Sequence, residues 1–195
     1  MPATRASKHP GQLHYNLCPA VSLSEIVRQV RSAVKWVYNN VEKANGDPQK
    51  IYISGHSAGG YLTAMLCLTD RLVSLGLPKN AIKGATIVSA MLDLEPVLLV
   101  PGSEELHVGK EECRMLSSIH NPPDPNIKLV VAVGGRETSE WIRQTEDMMA
   151  VLKVQGSCAT FFKPDYDQHY SILFSLGNPR TPLCQAMLGQ MGLAN

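Results

Sequence analysis

The sequence predicts an α/β protein, one parallel sheet with helices on both faces. Three observations predict it. Four short β-rich apolar runs, Ile51–Ser54, Ala85–Ser89, Ile127–Val133 and Ala159–Phe162, are separated by helical patterns. Strands that alternate with helices pair in parallel through helical crossovers. The run Leu129-Val130-Val131-Ala132-Val133 is apolar throughout, as a strand covered on both faces must be. Lastly, the run Ile51-Tyr52-Ile53 stops at Gly55-His56-Ser57-Ala58-Gly59-Gly60 and passes directly into good helix formers.

The elements follow in chain order. Met1 to Gln12 carries two prolines and no periodicity, and reads as a loose tail. Leu13-His14-Tyr15-Asn16-Leu17 alternates weakly and is expected to form a short strand. Ser22-Leu23-Ser24-Glu25 reads as a capping box, in which serine and glutamate satisfy each other's backbone donors. Ile26, Val30, Ala33, Val34, Val37 and Val41 then repeat at helical spacing, giving one buried stripe. Asn45-Gly46-Asp47-Pro48 ends that helix with turn chemistry. After the first strand, Tyr61, Leu62, Met65, Leu66 and Leu68 mark a helix. A weaker helical pattern covers Glu111–Ser118. Asn121-Pro122-Pro123-Asp124-Pro125 is a loop leading into the third strand. Trp141, Thr145, Met148 and Leu152 form a stripe on the helix after it, with Ile142 and Met149 beside them. No repeat or second domain interrupts this pattern, so residues 1–195 read as one domain.

Composition narrows the function classes. Of the 195 residues, 44% are hydrophobic and 18% charged, and the net charge is +1. Such a balance points to neither nucleic acid nor an anionic membrane as a partner. The five cysteines are scattered without a C-x-x-C pair, which speaks against both a disulfide framework and a zinc site. No apolar run approaches the roughly 20 residues of a membrane helix, and the first residues lack a signal-peptide core. The cytoplasm is the expected location.

The candidate chemistry centres on Ser57. G-x-S-x-G between a strand and a helix presents a serine on a sharp, strained turn at the carboxyl end of a sheet. Gly55 and Gly59 are expected to be glycine because the helix start passes close to the strand end. The Ala58 amide, at the helix N-terminus, is placed to donate to an oxyanion. A serine nucleophile needs a base and an acid, which this architecture supplies in the order Ser, acid, His. Glu137 follows the third strand, with Glu140 one helical turn further on. His169 follows the fourth, alone of the six histidines, with Asp165 and Asp167 as further acids beside it. The expected line is therefore Ser57, His169 and Glu137. His56 is read as a packing residue beside the site, and His9, His14, His107 and His120 lack metal-ligand spacing. Trp141 and Tyr61 are read either as stacking surfaces for an aromatic substrate or as packing on helix faces. This chemistry calls for neither cofactor nor metal.

Five blocks, YNLCPAVSLSEIVRQVRSAVKWV, GDPQKIYISGHSAGGYLTAML, VSAMLDLEPVLL, VGGRETSEWIRQ and QHYSILFSLGNPRTPL, resemble the arylformamidase (kynurenine formamidase) branch of the α/β-hydrolase superfamily. The resemblance runs from about Tyr15 to residue 193, and DLEPV at Asp93–Val97 favours this branch over generic carboxylesterases. It implies the α/β-hydrolase fold, with Ser57 as nucleophile, Glu137 as acid and His169 as base. The implied substrate is N-formyl-kynurenine or a related formamide or small carboxylic ester. Members of the family begin with further strands and an H-G-G-x-W loop that supplies oxyanion donors. This sequence contains no His-Gly-Gly, so the expectation is an N-terminally truncated domain whose first strand lies at an open edge. Such an edge invites self-association. The alternatives to an active enzyme of this branch are a weakly active or non-catalytic fragment, acting at most as an interaction module, and a generic carboxylesterase.

Overall fold

A computed structural model describes residues 11–193, so the expected tail lies almost wholly outside the described residues. Its centre is a four-stranded parallel sheet in the order β1-β2-β3-β4, the order of the sequence. β1 spans Ile51–His56, β2 Ile82–Val88, β3 Lys128–Ala132 and β4 Ala159–Phe162. All four runs read as strands in the sequence are strands. Among the described residues β1 is an edge strand, hydrogen-bonded to β2 alone. β2 starts three residues earlier than its apolar run, because Gly84 lies inside it. A Cβ at Gly84 would stand 3.2 Å from the Tyr52 ring and 3.3 Å from the Lys128 carbonyl oxygen, so the glycine there allows close packing between strands.

The strand pleat sorts the core into two layers. Ala85 and Ile87 of β2, with Leu129 and Val131 of β3, face α1 (Leu23–Asn40), α2 (Ala58–Leu66) and α5 (Ser139–Val154). Between α2 and α5 the chain also forms α3 (Thr69–Ser74) and α4 (Lys110–Leu116). Val88, Val130 and Ala132 face the opposite way, onto Ile172 of α6 (Ile172–Gly177) and Leu183 of α7 (Pro182–Gln190). Helices thus cover both faces, and successive residues of one apolar strand serve two different cores.

Local signals explain the helix ends. The Ser22 hydroxyl accepts the Glu25 N–H at 3.3 Å, as the capping box requires. The Glu25 carboxylate turns instead to Arg28 and Gln29, so half of the box forms. Along α1 the buried positions are Leu23, Ile26, Val27, Val30 and Val34. Of the expected stripe Ile26, Val30 and Val34 are buried, whereas Ala33 and Val37 are only partly buried and Val41 lies past the helix end, so the buried stripe sits nearer the helix start than the sequence pattern placed it. Leu13–Leu17 is not a strand. The Asn16 N–H donates to the Gln29 side chain, which ties this segment to α1 and away from the sheet. The Asp93–Val97 block is a structured loop after β2. The Gln144 side-chain oxygen accepts from the N–H groups of Leu92 and Asp93, and the Ser117 hydroxyl accepts from Leu94. Gln144 and Ser117 are themselves buried.

The strand-to-helix turn corrects one expectation. A Cβ at Gly55 would stand 2.1 Å from the Gly59 carbonyl oxygen, and one at Gly60 2.7 Å from the Val88 carbonyl oxygen, whereas one at Gly59 would meet nothing within 4 Å. Close approach therefore selects glycine at 55 and 60, and Gly59 points into open space. Accordingly, Gly55→Ala and Gly60→Ala are each expected to lower stability by more than about 2 kcal/mol, the scale of forced overpacking. Gly59→Ala is expected to leave it unchanged or raise it by about 0.5–1 kcal/mol through helix propensity. Urea unfolding midpoints of the three variants measure the difference.

Candidate active site

The site is built where the strands end. β1 runs out at His56, and Ser57 follows with φ 56° and ψ −121°. A non-glycine residue in so sparsely populated a region costs about 1–3 kcal/mol. Two backbone bonds hold it there: the Ser57 N–H donates to the Val88 carbonyl at 2.9 Å, and the Ser57 carbonyl accepts from Tyr61 at 3.0 Å. The serine hydroxyl makes no capping bond to α2. It lies 3.0 Å from Nε2 of His169.

His169 stands in the turn between β4 and α6. Its Nδ1 lies 2.7 Å from Oε2 of Glu137. A carboxylate can only accept, so Nδ1 carries the proton and Nε2 is left as the acceptor for the Ser57 hydroxyl. The Glu137 side chain is only 2% exposed. Its other oxygen, Oε1, accepts the Gly134 N–H at 2.7 Å and the Ser89 hydroxyl at 2.5 Å. Three donors therefore meet one buried carboxylate.

The loop that carries Glu137 and the loop that carries His169 are stitched together along their backbones. Gly135 donates to the Pro164 carbonyl at 2.8 Å and Arg136 to that of Asp167 at 2.9 Å. The approach is so close that a Cβ at Gly134 would stand 2.5 Å from the Asp167 carbonyl oxygen, and one at Gly135 2.9 Å from Asp165 Cα. The Gly134-Gly135 pair exists to permit this contact.

The structure brings Ser57, Glu137 and His169 together and leaves the alternative acids elsewhere. Glu140 is bound by both forks of Arg143 at 2.6 and 2.8 Å. Those hydrogen bonds, with one from Gln144, hold its carboxyl down at about 2. The Asp167 carboxylate accepts the hydroxyls of Ser171 and Ser175, which anchors the start of α6. Tyr61 is 1% exposed and packs in the core. Trp141 is half-buried, donates its indole N–H to the Ser89 carbonyl at 2.8 Å and sets its ring edge-on to His169.

Ser89 escaped the sequence reading, and His56, read only as packing beside the site, makes a polar contact that the reading did not foresee. Ser89 follows β2, is fully buried and has φ 49°. Its signal was a small polar residue closing an apolar strand beside the one that bears Ser57. His56 does more than fill space: its Nε2 lies 2.6 Å from the His169 carbonyl oxygen, and the two rings are 4.6 Å apart. Burial pushes the His56 imidazole below its ordinary value, against the opposing pull of that hydrogen bond.

Among the described residues no helix is long and apolar enough to cross a membrane. Comparison with known proteins agrees with the geometry. Residues 12–116 match a family described by its alpha/beta hydrolase fold. The kynurenine formamidase of Danio rerio is 29% identical over 184 residues, which are 91% of this chain and 60% of that protein. That of Salmo salar is 30% identical over the same shares. An esterase from Pyrobaculum calidifontis superposes on 92% of this chain and 65% of its own, with a TM-score of 0.68 at 18% identity, a likeness of fold. This chain spans 60% of the length of the two formamidases it resembles. With a family match over more than half of its residues, and the parallel sheet and strand-to-helix serine turn in place, the chain belongs to the α/β-hydrolase fold family and, within it, resembles the kynurenine formamidases.

Proposed function

We propose that this chain is a serine hydrolase of the arylformamidase type, acting on N-formyl-kynurenine or a related formamide or small carboxylic ester. The observation that carries the reading is the unbroken hydrogen-bonded line from Ser57 through His169 to Glu137 at the carboxyl ends of the strands. In this reading the Ser57 oxygen attacks the carbonyl carbon and its proton passes to Nε2 of His169. Glu137 keeps Nδ1 protonated and stabilises the imidazolium that forms. The oxyanion accepts the Ala58 N–H, one of the donors that a helix start leaves without intrahelical partners. His169 then protonates the departing amine or alcohol. A water molecule repeats the sequence on the acyl-serine, releasing formate or a carboxylate and restoring the hydroxyl. The similarity to kynurenine formamidases supports the formamide as substrate class.

Esters and formamides differ in how much oxyanion stabilisation each needs. In this reading the Ala58 N–H is the oxyanion donor. Removal of a single donor cost about 10²–10³ in turnover in a measured protease. A formamide, with its poor leaving group, depends on that stabilisation more than an activated ester does. The purified chain is expected to turn over p-nitrophenyl acetate measurably and N-formyl-kynurenine at least about 10²-fold more slowly. Formamidase turnover equal to the esterase rate would mean that donors other than Ala58 complete the hole.

A fluorophosphonate probe tests the nucleophile directly. It is expected to label the wild-type chain on the peptide containing Ser57 and to leave Ser57→Ala unlabelled, read by mass spectrometry. Labelling that survives the substitution would move the nucleophile to another serine.

The acid is tested by paired amide substitutions. In Glu137→Gln the amide oxygen remains toward its two donors, Gly134 N–H and Ser89 O–H, which turns the amide nitrogen toward His169. Nδ1 must then accept, Nε2 becomes the protonated nitrogen, and the base is lost. Turnover is expected to fall about 10⁴-fold, as for an acid-to-amide change in a serine protease. Glu140→Gln breaks an exposed pair with Arg143 but keeps an amide oxygen for the Gln144 side chain, and is expected to change turnover less than about twofold. Equal small losses for both would assign the acid elsewhere.

A further inference from the structure

His56 is the last residue of β1 and immediately precedes Ser57, and its side chain reaches across to His169. The ring lies 4.6 Å from that of His169, tilted by 46°, and approaches Tyr170 at 6.2 Å, while Nε2 lies 2.6 Å from the His169 main-chain oxygen. The rest of the 163–171 turn is tied to other parts of the fold. Pro164 and Asp167 accept from the Glu137 loop, and Lys163 bonds to Glu146 of α5. The His56 bond is thus the link that joins the main chain of the base to the residue preceding the nucleophile. β1 also pairs His56 with Val88, and the Val88 carbonyl holds the Ser57 N–H. One residue thereby references both Ser57 and His169 to the same point of the sheet.

We infer that His56 is a positioning residue: its Nε2–H, donated to the His169 carbonyl, fixes the separation between the Ser57 hydroxyl and the His169 imidazole. This rests on the reading of Ser57 and His169 as nucleophile and base. The donor must be a neutral imidazole in the Nε2–H form, since an unprotonated Nε2 would face the carbonyl lone pairs at 2.6 Å with nothing between them. The charged ring would also donate, but it would place a cation against the imidazolium that forms on His169 during attack. Burial opposes that charge. Glu137, whose charge favours it, is occupied by three donors of its own. Tyr170 is the remaining titratable ring facing His56.

The test separates position from packing. His56→Phe retains a flat ring and loses the donor. His56→Gln places an amide N–H near the position of Nε2. Misplacement of reacting groups by about 1 Å can cost about 10²-fold. With p-nitrophenyl acetate, His56→Phe is therefore expected to lower kcat about 10- to 100-fold with KM within about twofold, and His56→Gln to restore kcat to within about threefold of wild type. The same order is expected for the rate of fluorophosphonate labelling. Equal losses in the two variants, or a rise in KM with kcat kept, would overturn the inference. Wild-type protein that fails to label would instead overturn the nucleophile reading. A measurement without substitution stands beside these: long-range proton–nitrogen correlation spectra of the wild-type rings at about pH 8, above the ordinary histidine range, are expected to show His56 as the Nε2–H tautomer. The Nδ1–H tautomer would overturn the inference whatever the variants do, including a variant that does not fold.

Discussion

The Glu137 carboxylate is the group on which the rest of the site depends. A carboxylate that is nearly sealed from water is costly unless its lone pairs are satisfied. Here three donors come from three places: the Gly134 N–H from the end of β3, the Ser89 hydroxyl from the end of β2 and the His169 ring from the turn after β4. None is a neighbour of another in sequence. The negative charge is stable only if those strand ends are in register, and in that register His169 has its Nε2 free to face Ser57. The polar centre thus specifies the arrangement of loops more sharply than the apolar layers do, since apolar contacts tolerate small slides and a 2.5 Å hydrogen bond does not.

The sheet supplies the register by a simple device. The Ser57 N–H donates to the Val88 carbonyl, Ser89 to Ala132 and Val133 to Phe162. Each is one further rung of the parallel ladder, placed just past the end of β1, β2 and β3 in turn. Ser57 and Ser89 both have positive φ, so the chain is anchored by a ladder bond at the very residue where it swings out of the strand. Backbone strain of about 1–3 kcal/mol at each is held by bonds that the sheet makes anyway. The Trp141 indole adds a bond to the Ser89 carbonyl, which secures the second of these swings from the side of α5.

Much of this was legible in the sequence, and the parts that were not share a cause. The four strands are short continuous apolar runs bounded by turn signals, and α1, α2 and α5 carry a 3.6-residue period long enough to read. Ser57, Glu137 and His169 could be located because each follows a strand and the chain order restricts the choice. α6 and α7 left weaker traces: six residues with little amphipathic pattern in one, and in the other a Thr181-Pro182 start that is itself a helix signal. Ser89 and His56 are defined by what they touch across the sheet, 48 and 113 residues away in sequence, and no local pattern encodes such a partner. Gly59 was misjudged for the related reason that a motif glycine and a close-packed glycine look alike until the neighbouring backbone is placed. Gly60, one residue on, carries the constraint.

The two kinds of interaction also divide the consequences of change. The Ser57 backbone is set by ladder bonds and by close approach at Gly55 and Gly60, so the place of Ser57 is a property of the main chain. A core substitution such as a shortened side chain at Ile87 or Leu129, both buried beneath α1, α2 and α5, loosens packing and costs stability. It leaves those main-chain bonds intact as long as the sheet forms. His169 and Glu137 are placed differently, by side chains reaching across loops that few apolar contacts support. Tyr170, next to His169, is 77% exposed, and Phe174 of the following helix 81%. Around His169 the restraint therefore comes from hydrogen bonds rather than from burial, and this half of the site is where single polar substitutions act on chemistry without first unfolding the domain.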